Sequence, residues 1–244
     1  MPVIEILKYE QEQLSKIAEI SYDITYPILS FDTIASYISV TTRKSPSEYA
    51  LSIFNLSGSK LGEIIYYSPI ISAFLSSEYL IVGNYTTIEM RTIDLSLIDS
   101  YDIGYPISKV LRLTYPYFLV YRAGSLELYK FENTISKLSS VAINIRSMTN
   151  LTNNYIACDT INKELLIYRF NGSSLEFITK ATLTGYISDM ASIDGQLIAV
   201  TTHDGNLHLY NFDGQTLTLL KTENIGIHAA GVTIFEKKEE VIDI

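Results

Sequence analysis

Short apolar runs punctuated by turn-forming residues recur along the whole chain, and one six-residue pattern marks each recurrence. Its clearest copies carry Leu126, Leu128, Tyr129 and Phe131, then Leu165, Ile167, Tyr168 and Phe170, then Leu207, Leu209, Tyr210 and Phe212. Looser copies carry Leu51, Ile53, Phe54 and Leu56, and Ile88, Met90 and Ile93, and a sixth opens the chain with Ile4, Ile6, Leu7 and Tyr9. A second apolar run lies just upstream of five copies, at 37–40, 79–82, 117–120, 155–158 and 196–200, and four of these five open with tyrosine. Turn residues such as Gly124 and Ser125, or Asp204, Gly205 and Asn206, separate the two runs, as in a hairpin. Uninterrupted apolar runs of four or five residues bounded by turns predict strands buried on both faces. Further strands are expected before each pair, as at 70–74 and 187–190, and after it, as at 175–179 and 217–220. Each repeat therefore reads as four short antiparallel strands.

The copies begin at positions 4, 51, 88, 126, 165 and 207. That spacing is close to the roughly 40 to 45 residues of a four-stranded propeller blade. The last repeat stops after two expected strands, roughly 229–235 and 240–244, whereas the chain opens with the third and fourth strands of a blade, 3–9 and 14–20. The expected fold is all-β: a single six-bladed β-propeller of four-stranded antiparallel blades, its ring closed by N-terminal strands that complete the C-terminal blade. The blades are placed at 26–66, 67–104, 105–143, 144–185, 186–224, and 225–244 joined with 1–25. Closure of this kind removes the exposed sheet edges that invite aggregation.

The 244 residues suffice for one large domain, and 47% hydrophobic against 18% charged residues excludes a disordered chain. A formal charge of −9 argues against bulk nucleic-acid binding. Cys158 is the single cysteine, which excludes an internal disulfide framework. The N-terminal residues lack the basic and apolar regions of a secretory signal, and no apolar run is long enough to cross a membrane. A cytoplasmic protein without membrane insertion is expected. Abundant Ile and Tyr with few Gln give the chain a composition that resembles proteins of thermophilic archaea and their viruses.

The segment from Ala199 through His203, Asp204, Gly205 and Asn206 to Tyr210 resembles the second strand, turn and third strand of a WD40-type repeat. The chain has no tryptophan and lacks the Gly-His and Trp-Asp dipeptides of that family. The resemblance implies a rigid platform for protein partners.

His203, His208 and His228 do not show metal-ligand spacing, and the common nucleophile and phosphate-binding motifs are absent. Neither a catalytic residue, a metal nor a cofactor is expected. A more telling set precedes the first strands: Tyr26, Tyr67, Tyr105 and Tyr186, three of them near a proline. In a propeller these lead-in segments gather on one face near the channel mouth. The turns between second and third strands reach the same face and add Arg43, Lys44, Tyr85, Arg122 and His203. Tyrosine presents a large contact area at low entropic cost, so the set reads as a surface for protein partners, and the chain as a non-enzymatic scaffold or adaptor of a larger intracellular complex. The alternatives are a lactonase-like metal-dependent hydrolase, with Asp32, Asn150 and Asp189 converging on the channel beside Ser72, Lys109 and Arg112, and a nucleic-acid-associated factor using a local basic face.

Overall fold

The computed structural model describes residues 3–10, 13–21, 28–151, 154–193 and 196–226. Every regular element among them is a β-strand. The chain divides into two compact units, 1–138 and 139–244.

A two-stranded antiparallel sheet pairs β1 (Val3–Glu10) with β2 (Gln13–Ser21). Five four-stranded antiparallel sheets follow, each a meander in chain order. The first is β3 (Ile28–Ile34), β4 (Tyr37–Ser45), β5 (Glu48–Asn55) and β6 (Lys60–Tyr66). The second is β7 (Ile70–Phe74), β8 (Tyr79–Asn84), β9 (Thr87–Thr92) and β10 (Leu97–Asp102). The third is β11 (Ile107–Arg112), β12 (Tyr117–Arg122), β13 (Ser125–Phe131) and β14 (Ile135–Ala142). The fourth is β15 (Ile145–Asn150), β16 (Tyr155–Thr160), β17 (Glu164–Phe170) and β18 (Leu175–Thr182). The fifth is β19 (Ile187–Ile193), β20 (Leu197–Thr202), β21 (Asn206–Phe212) and β22 (Leu217–Asn224). The four-strand reading of the repeat is thus correct in all five. The expected strands at 229–235 and 240–244 lie outside the described residues.

The middle strands of the second sheet are continuous apolar runs because each of its faces packs on another sheet. On β8 the side chains of Leu80 and Val82 join a core with Leu51, Ile53 and Tyr66 of the first sheet, while Ile81 points the other way and packs with Phe118, Val120 and Tyr129 of the third. That is the two-residue period of a strand feeding two cores at once. In the 139–244 unit, Leu165 and Ile167 meet Val200, Tyr210 and Phe212 in the same way. The outermost strands have no such duty: β10 and β22 are exposed along nearly their whole length.

Charged residues inside this packing are caged. Glu89 on β9 faces the first sheet, where the Tyr66 hydroxyl donates to Oε2 at 2.7 Å and Arg91 Nε donates at 2.8 Å. The equivalent Glu127 on β13 is 1% exposed. It accepts the Tyr129 hydroxyl at 2.6 Å and bridges Arg122 at 2.7 Å and Lys137 at 2.5 Å. Burial alone would raise the Glu127 carboxyl, but the hydrogen bonds from Arg122, Lys137 and Tyr129 prevail and hold it at about 2.

This shift has a definite sign. The folded-state value lies below the ordinary 4.5, so the stabilisation is complete above about pH 4.5 and is lost as pH falls towards about 2. Glu127→Gln should lower stability at neutral pH by about 2 kcal/mol, since it leaves Arg122 and Lys137 without their anion. Urea midpoints measured against pH should show the gap between variant and wild type closing between pH 4.5 and 2, and a constant gap would contradict the assignment.

Candidate functional site

The segments leading into the first strands and the turns between second and third strands do meet. Tyr85 opens the two-residue turn between β8 and β9; its N–H donates to Pro69 O at 3.2 Å and its carbonyl accepts Ile107 N–H at 2.7 Å. Ile103 N–H adds a bond to Thr86 O at 2.9 Å. Within the 1–138 unit this brings the 67–69 and 103–107 segments against one turn. Tyr67, Tyr85 and Tyr105 are 78%, 55% and 55% exposed there. In the 139–244 unit the same arrangement recurs, as His203 N–H donates to Tyr186 O at 2.8 Å. Tyr26 lies outside the described residues.

Two of the tyrosines carry cations on their rings. The Arg122 guanidinium sits 4.7 Å from the Tyr105 centroid, held from behind by Glu127. Tyr186 meets Arg146 at 4.9 Å and Lys163 at 5.2 Å, and Arg146 Nη2 also lies 3.4 Å from His203 Nε2. A cation over the negative ring face fixes the ring without covering its edge or hydroxyl. Arg43 is spent differently, donating to Ser45 O at 3.1 Å and Pro46 O at 2.8 Å with its guanidinium 5.9 Å from the Tyr49 centroid. Lys44 pairs with Glu63 at 2.5 Å, and Lys60 reaches the same carboxylate at 2.8 Å.

Sequence reasoning missed Arg146, Lys163, Glu127 and Gly185. Glu127 leaves a signal, since a carboxylate between Leu126 and Leu128 in a strand buried on both faces requires a cation. Gly185 is dictated by close approach: a Cβ there would stand 2.5 Å from Asp204 Oδ1. Asp204 in turn accepts the Thr184 hydroxyl at 2.8 Å and the Thr202 hydroxyl, which braces the turn behind Tyr186.

Two of the channel candidates, Asp32 and Arg112, serve the backbone. Asp32 Oδ1 accepts Thr33 N–H and Oδ2 accepts Phe74 N–H, each at 2.8 Å, so the carboxylate staples β3 to β7. Arg112 Nη1 donates to Thr33 O at 3.2 Å. Ser72 is buried and Lys109 half-buried. In the other unit, Asn150 O accepts the Ser192 hydroxyl at 3.4 Å and Asp189 O the Thr201 hydroxyl at 3.3 Å. Among the described residues no three His, Cys, Asp or Glu side chains gather as a metal site. Burial pushes the Cys158 thiol up to about 12, far from a nucleophile's range. His208 is buried against Thr222, its Nδ1 2.9 Å from the hydroxyl, and burial lowers its pKa.

No family model and no curated protein matches the chain. Solved structures do. Sqt1 of Saccharomyces cerevisiae is 11% identical with a TM-score of 0.64, over 83% of this chain and 64% of that one. Hsv2 of Kluyveromyces lactis is 12% identical with a TM-score of 0.62, over 82% and 63%. The β-propeller domain of Cps50 (Swd1) from Myceliophteria thermophila is 11% identical with a TM-score of 0.66, over 81% and 73%. These are WD40 β-propeller proteins, and the chain shares their fold. It spans less than two thirds of the length of the first two. No helix among the described residues is long and apolar enough to cross a membrane.

Tyr85 has φ 52°, left-handed backbone at a hairpin position that usually falls to glycine. A bulky aromatic residue there costs about 1 kcal/mol, and strain of this kind collects at functional positions. Tyr85→Gly should therefore stabilise the fold by about 1 kcal/mol in urea denaturation; a loss of stability would mean that the ring is there for packing.

Proposed function

We propose that the chain is a non-enzymatic protein-interaction scaffold, a subunit or adaptor of a larger intracellular complex. Its partner-binding surface is the set of sheet ends bearing Tyr26, Tyr67, Tyr105 and Tyr186, with Tyr85, Arg43, Lys44, Arg122 and His203. The observation that carries this reading is the display of tyrosines that a soluble fold has no need to expose: Tyr67 at 78% and Tyr105 at 55%, the latter steadied by an arginine that is itself held by a buried carboxylate. Rigid aromatic side chains presented in advance lose little entropy on binding. Affinity purification from the native source tests it. Alanine at Tyr67, Tyr105 and Tyr186 together should weaken capture of the native partner by at least about tenfold, the effect of a lost hot spot. Unchanged capture would show that this surface is idle.

The same reading includes one domain of six blades, with 225–244 joined to 1–25 to complete the last. Support comes from the two-stranded β1–β2 sheet, which has only half the strands of every other sheet. Removal of 227–244 should lower the thermal midpoint by several degrees, because it would uncover apolar sheet faces. An unaltered midpoint would refute the closure.

A further inference from the structure

A pocket of about 240 Å³ opens among the first strands of the 1–138 unit. Its walls are Leu29, Pro69, Ile70, Ile71, Gly83 and Ile107, with Ser108 at the margin. The volume falls below the roughly 300 to 1,000 Å³ of sites that enclose small molecules. It suits one or two inserted side chains. The walls close tightly at Gly83, where a Cβ would stand 2.9 Å from Ile107 Cγ2 and 3.0 Å from Ile71 Cγ2. Tyr85 is bonded through its backbone to both Pro69 and Ile107, so the strained turn holds two pocket walls together while its own ring stays exposed.

The surroundings of the pocket lean positive. Arg122 is the register partner of Ile107, and Lys109 follows Ser108. One carboxylate, Glu127, is shared between Arg122 and Lys137. Arg122 Nε has no acceptor among the described residues. Lys109 makes no ion pair among them. The acidic residue on the pocket's own strands, Asp32 of β3, spends Oδ1 on Thr33 N–H and Oδ2 on Phe74 N–H, each at 2.8 Å. On the pocket's strands and their neighbours, Lys109, Arg112 and Arg122 therefore stand against two carboxylates, Asp32 and Glu127, although the chain as a whole carries −9.

We infer that this pocket takes a single aliphatic or thioether side chain from a partner protein, presented by a segment with acidic residues beside it. The inference rests on the scaffold reading above and names the partner's chemistry. Burying such a side chain supplies the affinity, and the basic margin selects its neighbours.

The test is selection of short random peptides displayed on phage against the full chain. Enriched peptides should place Leu, Ile or Met beside Asp or Glu. Their binding should fall about tenfold or more on Ser108→Phe, which fills the pocket from an exposed position, and on Gly83→Ala, whose Cβ would displace the Ile71 and Ile107 walls. Lys109→Glu should weaken them about threefold and reduce the salt dependence. Enrichment of basic or acid-free sequences overturns the inference. So does a wild-type chain that dimerises in sedimentation while Ser108→Phe stays monomeric, which would give the pocket to a second copy. Peptides that ignore Ser108→Phe but are lost with Tyr67→Ala and Tyr105→Ala would sink the pocket and leave the scaffold reading intact. Peptides indifferent to all of these variants, or no enrichment at all, would count against both.

Discussion

A sheet whose two middle strands are apolar on both faces can persist in water only when each face is covered by another sheet. Everything else follows from that requirement. It explains why Leu80 and Val82 serve one core and Ile81 the next, and why an outer strand such as β10 can be polar. It also restricts what a third strand can hold at its centre. Ser52, Glu89, Glu127, Leu166 and His208 occupy equivalent positions there. The two glutamates are tolerated because tyrosine, arginine and lysine neighbours complete their hydrogen bonding. A buried charge with this many partners adds directional geometry to an otherwise non-directional apolar interface.

Directionality reaches the surface through Arg122. The guanidinium is fixed by Glu127 on one side and lies over Tyr105 on the other. An interior ion pair thereby determines how an exposed aromatic ring is presented. Tyr186 reaches a similar state by other means, with Arg146 and Lys163 over its ring and Asp204 bracing the adjoining turn. Two sheets thus arrive at a cation-backed tyrosine with different residues. That convergence argues for the presentation of the ring as the property that matters, since proline and turn geometry alone would not require a cation twice.

Much of this fold was legible from the chain. The recurring Leu-x-Leu-Tyr-x-Phe pattern located third strands at β13, β17 and β21, and the tyrosine-led runs located the second strands. Strand ends were less legible, because hydrogen bonding carries β18 to Thr182 after the apolar signal fades near 179. The proximity of the lead-in segments to the hairpin turns was anticipated from topology and holds within each unit. The rings' cations were not anticipated, since Arg146 and Lys163 lie 40 and 23 residues from Tyr186 and are united with it only by sheet register. Asp32 reads from the sequence only as a channel ligand of the alternative hydrolase, and its bonding partners are not legible there. A carboxylate on a first strand reads as a ligand, whereas backbone N–H groups at Thr33 and Phe74 take both of its oxygens.

The lone thiol of Cys158 is sealed within β16, fully buried and pushed up to about 12. Reagents that capture thiolates at neutral pH will pass it by. A cysteine introduced at any exposed position can therefore be the one reactive handle on the molecule, with the native residue left in place. Fluorescent or spin probes could then be attached one site at a time, and distances measured between the wild-type core and a bound partner without first rebuilding the protein.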